Sequence, residues 1–331
     1  WTLNFDSEPI KGQLSIYHSA HESPFRVSAN MAKIHWKIGK PNDVNPNIIP
    51  STKIQVDNFV IGDRNFGNLY AEILSIPSGI NLNLLETKSN SFSIKGNGSW
   101  TMDYNRHYSN LDFNLISNDV ISTLHDLSFE QIIVSDRMSL EAKLSWPGKP
   151  LSILSFYEIG GELSLLMEEG SVLDLDPGAN RMVGLFSIAA LPRRLALDFS
   201  DVFNKGLSFD EVSGDFILDQ GHAYTDNLRL IGPVADIGII GRTGLYDRDY
   251  QQQAVVTSEP GNLLPTMGFL AGPGVGAAML IFSQVFKEPL KGIGTASYCM
   301  SGSWENPTIE RLDFSESSDV EFCADLLPNG N

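Results

Sequence analysis

Residues 91–100 read "SFSIKGNGSW". Phe92, Ile94 and Trp100 fall on alternate positions together with Gly96 and Gly98, while Ser91, Ser93, Lys95, Asn97 and Ser99 occupy the intervening ones. Successive side chains of an extended chain point to opposite faces, so this spacing predicts a strand with one dry face and one wet face. The same period recurs in "LDFNL" (Leu111, Phe113, Leu115), "LEAKLSW" (Leu140, Ala142, Leu144, Trp146), "DNLRLIG" (Leu228, Leu230) and "IERLDF". Between these segments lie "KPNDVNPN", "GDRNFGN", "IPSGIN", "ISNDV" and "EEGS", rich in the residues that reverse a strand. The pattern predicts a mainly β chain arranged as an antiparallel meander. Ser-Trp closes three of its strands, at Trp100, Trp146 and Trp304, which suggests one supersecondary unit used several times without a fixed period.

Composition narrows the partners. The 331 residues carry 40 Asp and Glu against 23 Lys and Arg, a formal charge of -17, and no basic stripe interrupts the acidic background. Phosphate-backbone recognition runs on clustered Lys and Arg, so no nucleic-acid partner is expected. The first residue is Trp1, with no Met and no leader pattern, as expected for a piece of a longer protein, in which any targeting signal or membrane anchor would lie upstream.

Reactive constellations are missing. His18 and His21 sit in a Ser- and Pro-containing turn with no third ligand at metal-site spacing. Asp174 and Asp176 precede a glycine, but the other acidic ligands of a calcium loop are not there. "GPGVGAA" lacks the Lys and Ser/Thr of a phosphate-cradling loop, and neither a nucleophile elbow nor an HExxH helix occurs. Neither enzyme nor cofactor is expected. Cys299 and Cys323 are the two cysteines; they read either as unrelated buried thiols or, in an oxidising compartment, as one bridge tying the C-terminal tail to the preceding strand.

Two segments carry a helical signal. "NRMVGLFSIAALPRRL" spaces Met182, Leu185, Phe186 and Ala189 as one helix face, predicting an amphipathic helix over 180–192 that Pro192 ends. From Pro260 to Phe286 no charged side chain occurs, yet Pro265, Pro273, Gly268, Gly272, Gly274 and Gly276 break the run. Its better half, Val275–Phe286, would be about 18 Å long against the roughly 30 Å of a bilayer's hydrocarbon core. It does not span a membrane, and on its residues alone it reads as core.

Several blocks carry a resemblance. "LPRRLALDFSDVF" (191–203), "GLSFDEVSGDF" (206–216), "LIGPVADIGIIGRTGL" (230–245), "LAGPGVGAAMLIFSQVFKEPL" (270–290) and "GSWENPTIERL" (302–312) closely resemble the C-terminal region of YhdP-type proteins, members of the AsmA-like family of Gram-negative envelopes. The match is strong from about Ser164 to Leu312; the first 150 residues resemble the family only in the style of their strands. The resemblance implies a long antiparallel sheet curved into an apolar groove. It also implies a parent chain anchored in the inner membrane and crossing the periplasm, and non-catalytic transport of phospholipid between membranes. The present residues would be its end near the outer membrane, meeting that membrane's inner leaflet or a protein in it.

On that reading the chain divides into a β-groove segment, 1–150, and a C-terminal segment, 151–331, with a broken apolar helical hairpin over 261–287. Phospholipid acyl chains would lie against Phe92, Ile94, Trp100, Leu111, Phe113, Leu115, Leu140, Leu144, Trp146, Leu228 and Leu230. Met279, Leu280, Phe282, Val285 and Phe286 of the hairpin would cap the groove or meet lipid, and Arg193, Arg194, Lys287 and Lys291 would meet headgroup phosphates. The rival expectation is a structural or protein-interaction β-sandwich of the cell envelope, whose inward faces bury one another.

Overall fold

The computed structural model describes residues 1–17, 25–38, 44–155, 157–173, 207–233, 235–258 and 294–312. Sixteen strands follow the chain: β1 (Thr2–Asp6), β2 (Ile10–Ile16), β3 (Val27–Trp36), β4 (Thr52–Ile61), β5 (Arg64–Ile76), β6 (Gly79–Lys88), β7 (Phe92–Asp103), β8 (Arg106–Ser117), β9 (Ile133–Pro147), β10 (Gly160–Val172), β11 (Leu207–Asp219), β12 (His222–Ile231), β13 (Ala235–Gly244), β14 (Asp249–Ser258), β15 (Gly294–Ser303) and β16 (Pro307–Leu312). Their hydrogen-bonding order is their chain order, and β1 and β16 each have a single strand partner, so the sheet is not closed into a barrel. The mainly β expectation holds.

One detail departs from the expected all-antiparallel meander: β3 and β4 pair in parallel, Val27 opposite Thr52 and Met31 opposite Val56. Parallel neighbours cannot be joined by a tight turn. The connection includes a 3-10 turn, Pro46–Ile48, that packs against β5, β6 and β7. Four of the antiparallel pairs are joined by two-residue turns, β4 to β5, β5 to β6, β7 to β8 and β11 to β12. Tyr104-Asn105 between β7 and β8 has φ of 45° and 63°, and Gln220-Gly221 between β11 and β12 has φ of 47° and 79°. Positive φ at both central residues gives the turn a twist that matches the twist of the strands it joins.

The strands form two compact units, 1–131 with 138–161 and 132–137 with 162–331. In the first, α1 (Val120–Asp126) follows β8, where the sequence reading placed only a turn. Asp119 caps it, accepting from the Ser122 backbone N–H at 3.1 Å and the Ser122 hydroxyl at 2.7 Å, and the helix buries Val120 and Leu124. A second 3-10 segment, Pro150–Ser155, occupies the stretch after Pro150. The "EEGS" stretch is not a turn: it lies within β10, where Glu169 takes a φ of 46°.

Candidate functional surface

Residues directly opposite in neighbouring strands project from the same face, so strand register shows which side chains share a surface. In the first unit, three rows run across β1 to β9. The first is Leu3, Leu14, Ala29, Ile54, Ala71, Leu85, Gly96, Phe113 and Ala142. The second is Phe5, Gly12, Met31, Val56, Leu69, Thr87, Ile94, Leu115 and Leu140. The third, from β2, is Ile16, Val27, Thr52, Ile73, Leu82, Gly98, Leu111 and Leu144. None of the three rows contains a charge.

All nine first-unit residues read from the alternation belong to this face. Ile94, Leu115, Leu140, Leu111, Leu144 and Phe113 lie in the rows; Phe92 is opposite Ser117, and Trp100 and Trp146 are both opposite Ser109. Accessibility varies along it. Leu3 on β1 and Ile16 on β2 are 49% and 39% exposed, Ala29, Met31, Val56, Leu69 and Ala71 on β3 to β5 form a buried cluster, Ile94, Leu111, Phe113 and Leu140 are half-buried, and Leu115 and Trp146 are buried. The tryptophan N–H groups are satisfied, Trp100 Nε1 donating to His107 Nδ1 at 3.1 Å and Trp146 Nε1 to the Lys149 carbonyl at 3.0 Å. Thr87 is different: its hydroxyl is buried in the second row with no hydrogen-bond partner.

Charge is kept to the opposite face. Lys95 reaches Glu86 at 3.0 Å and Lys53 reaches Glu72 at 3.4 Å, each pair across neighbouring strands. The Tyr70 hydroxyl donates to Glu72, and its ring lies 5.1 Å beneath the Lys53 ammonium. That hydroxyl, followed by Lys53, holds the Glu72 carboxyl below its ordinary range, while Tyr70 and Glu72 raise Lys53.

In the second unit, Leu230, Ile237, Val256 and Ala296 form one row and Leu228, Ile239, Ala254 and Tyr298 the next. Leu230, Ile237, Ile239, Ala254 and Tyr298 have no exposed surface, so Leu228 and Leu230 lie beneath protein cover. The other face is buried too, at Ile240, Gln253, Val255, Thr257 and Ser297. At the ends of these strands Arg242 clasps Asp249 through two bonds of 2.9 and 2.7 Å, which raises its already high pKa, and stands 3.1 Å from His222 Nδ1. Cys299, on β15, is disulfide-bonded.

Arg193, Arg194, Met279, Leu280, Phe282, Val285, Phe286, Lys287, Lys291 and Cys323 lie outside the described residues, as do the helix expected over 180–192 and the hairpin expected over 261–287. No helix among the described residues is long and apolar enough to cross a membrane. What the sequence reading missed is the share of β1 to β6 in the face. Irregularities conceal it: β6 shifts register between Leu82 and Leu85, and β4 shifts after Val56.

These features define an open, next-neighbour β-sheet protein with an uncharged face running across many strands. A family model described as YhdP protein matches residues 1–309, and the chain belongs to that family. The match takes in the first 150 residues, where the sequence showed only a likeness of strand style. Among curated proteins, the intermembrane phospholipid transporter YhdP of Escherichia coli (strain K12) is 30% identical over 159 residues, which is 46% of this chain and 12% of that protein. No solved structure matches the chain.

Proposed function

We propose that this chain is a non-catalytic segment of a bridge that conducts phospholipid between the inner and outer membranes, its apolar face lining a groove for acyl chains. The observation that carries this reading is the set of three uncharged rows, two across β1 to β9 and one across β2 to β9. At about 4.8 Å per strand the rows extend for roughly 38 Å. Each CH₂ exposed to water costs about 0.8 kcal/mol, so a migrating acyl chain needs unbroken apolar cover. An extended tail lies across about four strands at that spacing, so it passes from strand to strand without a dedicated pocket.

Half-burial of Ile94, Leu111, Phe113 and Leu140 supports a face with room beside it. The Escherichia coli relative, named an intermembrane phospholipid transporter, agrees in substrate class. In this reading the segment works in the periplasm at the outer-membrane end of a parent anchored in the inner membrane. The apolar stretch 261–287 caps the groove or hands lipid to the outer membrane's inner leaflet or a protein there, and Cys323 is the partner of Cys299.

Native mass spectrometry with lipid extraction tests this on the purified chain and on a form lacking 275–286. Phospholipid in near-stoichiometric amount on the intact chain, with an altered yield in the deletion, is the expected result. A well-folded, lipid-free intact chain would overturn the groove in favour of a structural β-sandwich of the envelope.

A further inference from the structure

One face of the second unit changes character partway across. On β12, Arg229 pairs with Glu211 of β11 at 3.0 Å, and the two side chains are 33% and 35% exposed, as on a surface in water. Gly238 is opposite Arg229, Val255 opposite Gly238 and Ser297 opposite Val255, so the same face continues over β13, β14 and β15. There, between Asp236 and Arg242 at its two ends, it is uncharged and closed: Ile240, Gln253, Val255 and Thr257 are each 1% exposed and Ser297 4%. A face this completely closed has a cover.

Two observations say what the cover is. Gln253 Oε1 and Thr257 Oγ1 are buried with no hydrogen-bond partner among the described residues. Buried polar groups are normally paired, so the segment above them is expected to bring polar partners. Cys299 lies directly opposite Gln253, half-buried at the border of the patch, and is disulfide-bonded, and the other cysteine of the chain is Cys323. The reach is sufficient. β16 ends at Leu312, opposite Ser297, which puts Leu312 about 8 Å from Cys299. The chain from 312 to 323 extends to about 36 Å, enough to reach β13, about 10 Å from β15, and return. Residues 313–331 hold Ser315, Ser317 and Ser318 beside Phe314, Val320 and Phe322, a mixture like that of the patch. The uncharged stretch 261–287 matches instead the opposite face, with Leu230, Ile237, Val256 and Ala296.

We propose that residues 313–331, tethered by a Cys299–Cys323 bridge, fold back over β15, β14 and β13 as the cover of this patch, a flap whose closure depends on the bridge. Asp313, Glu316, Asp319, Glu321 and Asp325 occur in the flap with no Lys or Arg among them. Carboxylates that repel one another gain nothing from an uncharged patch, so an untethered flap moves off into water. The inference rests on the cysteine pairing and not on lipid conduction.

Peptide mapping of the non-reduced full chain is expected to find Cys299 linked to Cys323 within one molecule; a bridge between two molecules would overturn the proposal. Hydrogen exchange read by mass spectrometry then compares the oxidised chain, the chain reduced with tris(2-carboxyethyl)phosphine and the variant Cys323→Ser. The phosphine splits the sulfur–sulfur bond into two thiols and is itself oxidised to the phosphine oxide, taking its oxygen from water. Amides of 249–258 and 294–303 should exchange about tenfold faster in the reduced chain and in the variant, while 207–231 keeps its protection. Unchanged exchange over 249–258 would assign the cover to another segment. Equal loss of protection over 207–231 would mean that the bridge holds the whole unit together and that no separate flap exists. Deletion of 275–286 should leave 249–258 protected. Phospholipid bound to any of these forms is measured separately, so failure of the transport reading does not alter this outcome.

Discussion

Truncating two neighbouring leucines of β8 asks whether the face of the first unit is open or is the inside of a closed sandwich. Leu115 is 3% exposed and lies in register between Ile94 and Leu140, so Leu115→Ala removes buried carbon and leaves a void. Three carbons at about 0.8 kcal/mol each give roughly 2.4 kcal/mol, and an unfilled cavity raises the total to about 3 kcal/mol. Leu111 lies in the third row between Gly98 and Leu144, but it is half-buried and its strand neighbour Gly98 offers no side chain to pack on. With no closed cavity to create, Leu111→Ala should cost only about 1 kcal/mol. Urea unfolding followed by far-UV circular dichroism and tryptophan fluorescence, on delipidated protein, measures both. A loss near 3 kcal/mol at Leu111 as well would mean that both positions sit in solid core, and the open-face argument would fail.

Three other outcomes are expected. Thr87→Val replaces a buried hydroxyl that has no partner, and should stabilise the first unit by about 1 kcal/mol in urea titration. Arg242→Met breaks the clasp on Asp249, whose side chain is 34% exposed, and should destabilise by about 2 kcal/mol, less than a fully buried pair would lose because water reaches the carboxylate. Tyr70→Phe removes the hydroxyl that chiefly lowers the Glu72 pKa, so Glu72 should titrate closer to an ordinary glutamate by NMR. A depressed carboxylate stabilises the fold above its unfolded pKa, and that contribution is lost as pH falls through the folded value. The variant should therefore show a smaller loss of stability across the acid limb, starting from a less stable neutral state.

Much of the architecture was legible because a strand's period is an exact two, so any stretch free of irregularities declares its faces. "SFSIKGNGSW" placed Phe92, Ile94 and Trp100 together, and the register agrees. The reading lost track wherever an inserted residue reversed the parity. In β9, Ile133 and Ser135 are buried on odd positions and Met138, Ala142 and Leu144 on even ones, with Asp136 and Arg137 both exposed between them. Alternation read through that point assigns half the strand to the wrong side. Helix α1 was invisible for another reason: seven residues carry too little period to stand out from a turn.

By itself, then, the sequence determined the class of local structure, the acidic outer face, the absence of reactive motifs and the family resemblance, all of which depend on neighbours a few residues apart. It could not determine which strand lies beside which. The parallel pairing of β3 with β4, the joining of Leu3 to Ala142 through seven intervening strands in one row, and the double burial of β13 to β15 are decided by hydrogen bonds between segments far apart in the chain. Those bonds fix each strand's sideways register as well as its neighbour, and only that register turns scattered leucines into a continuous surface.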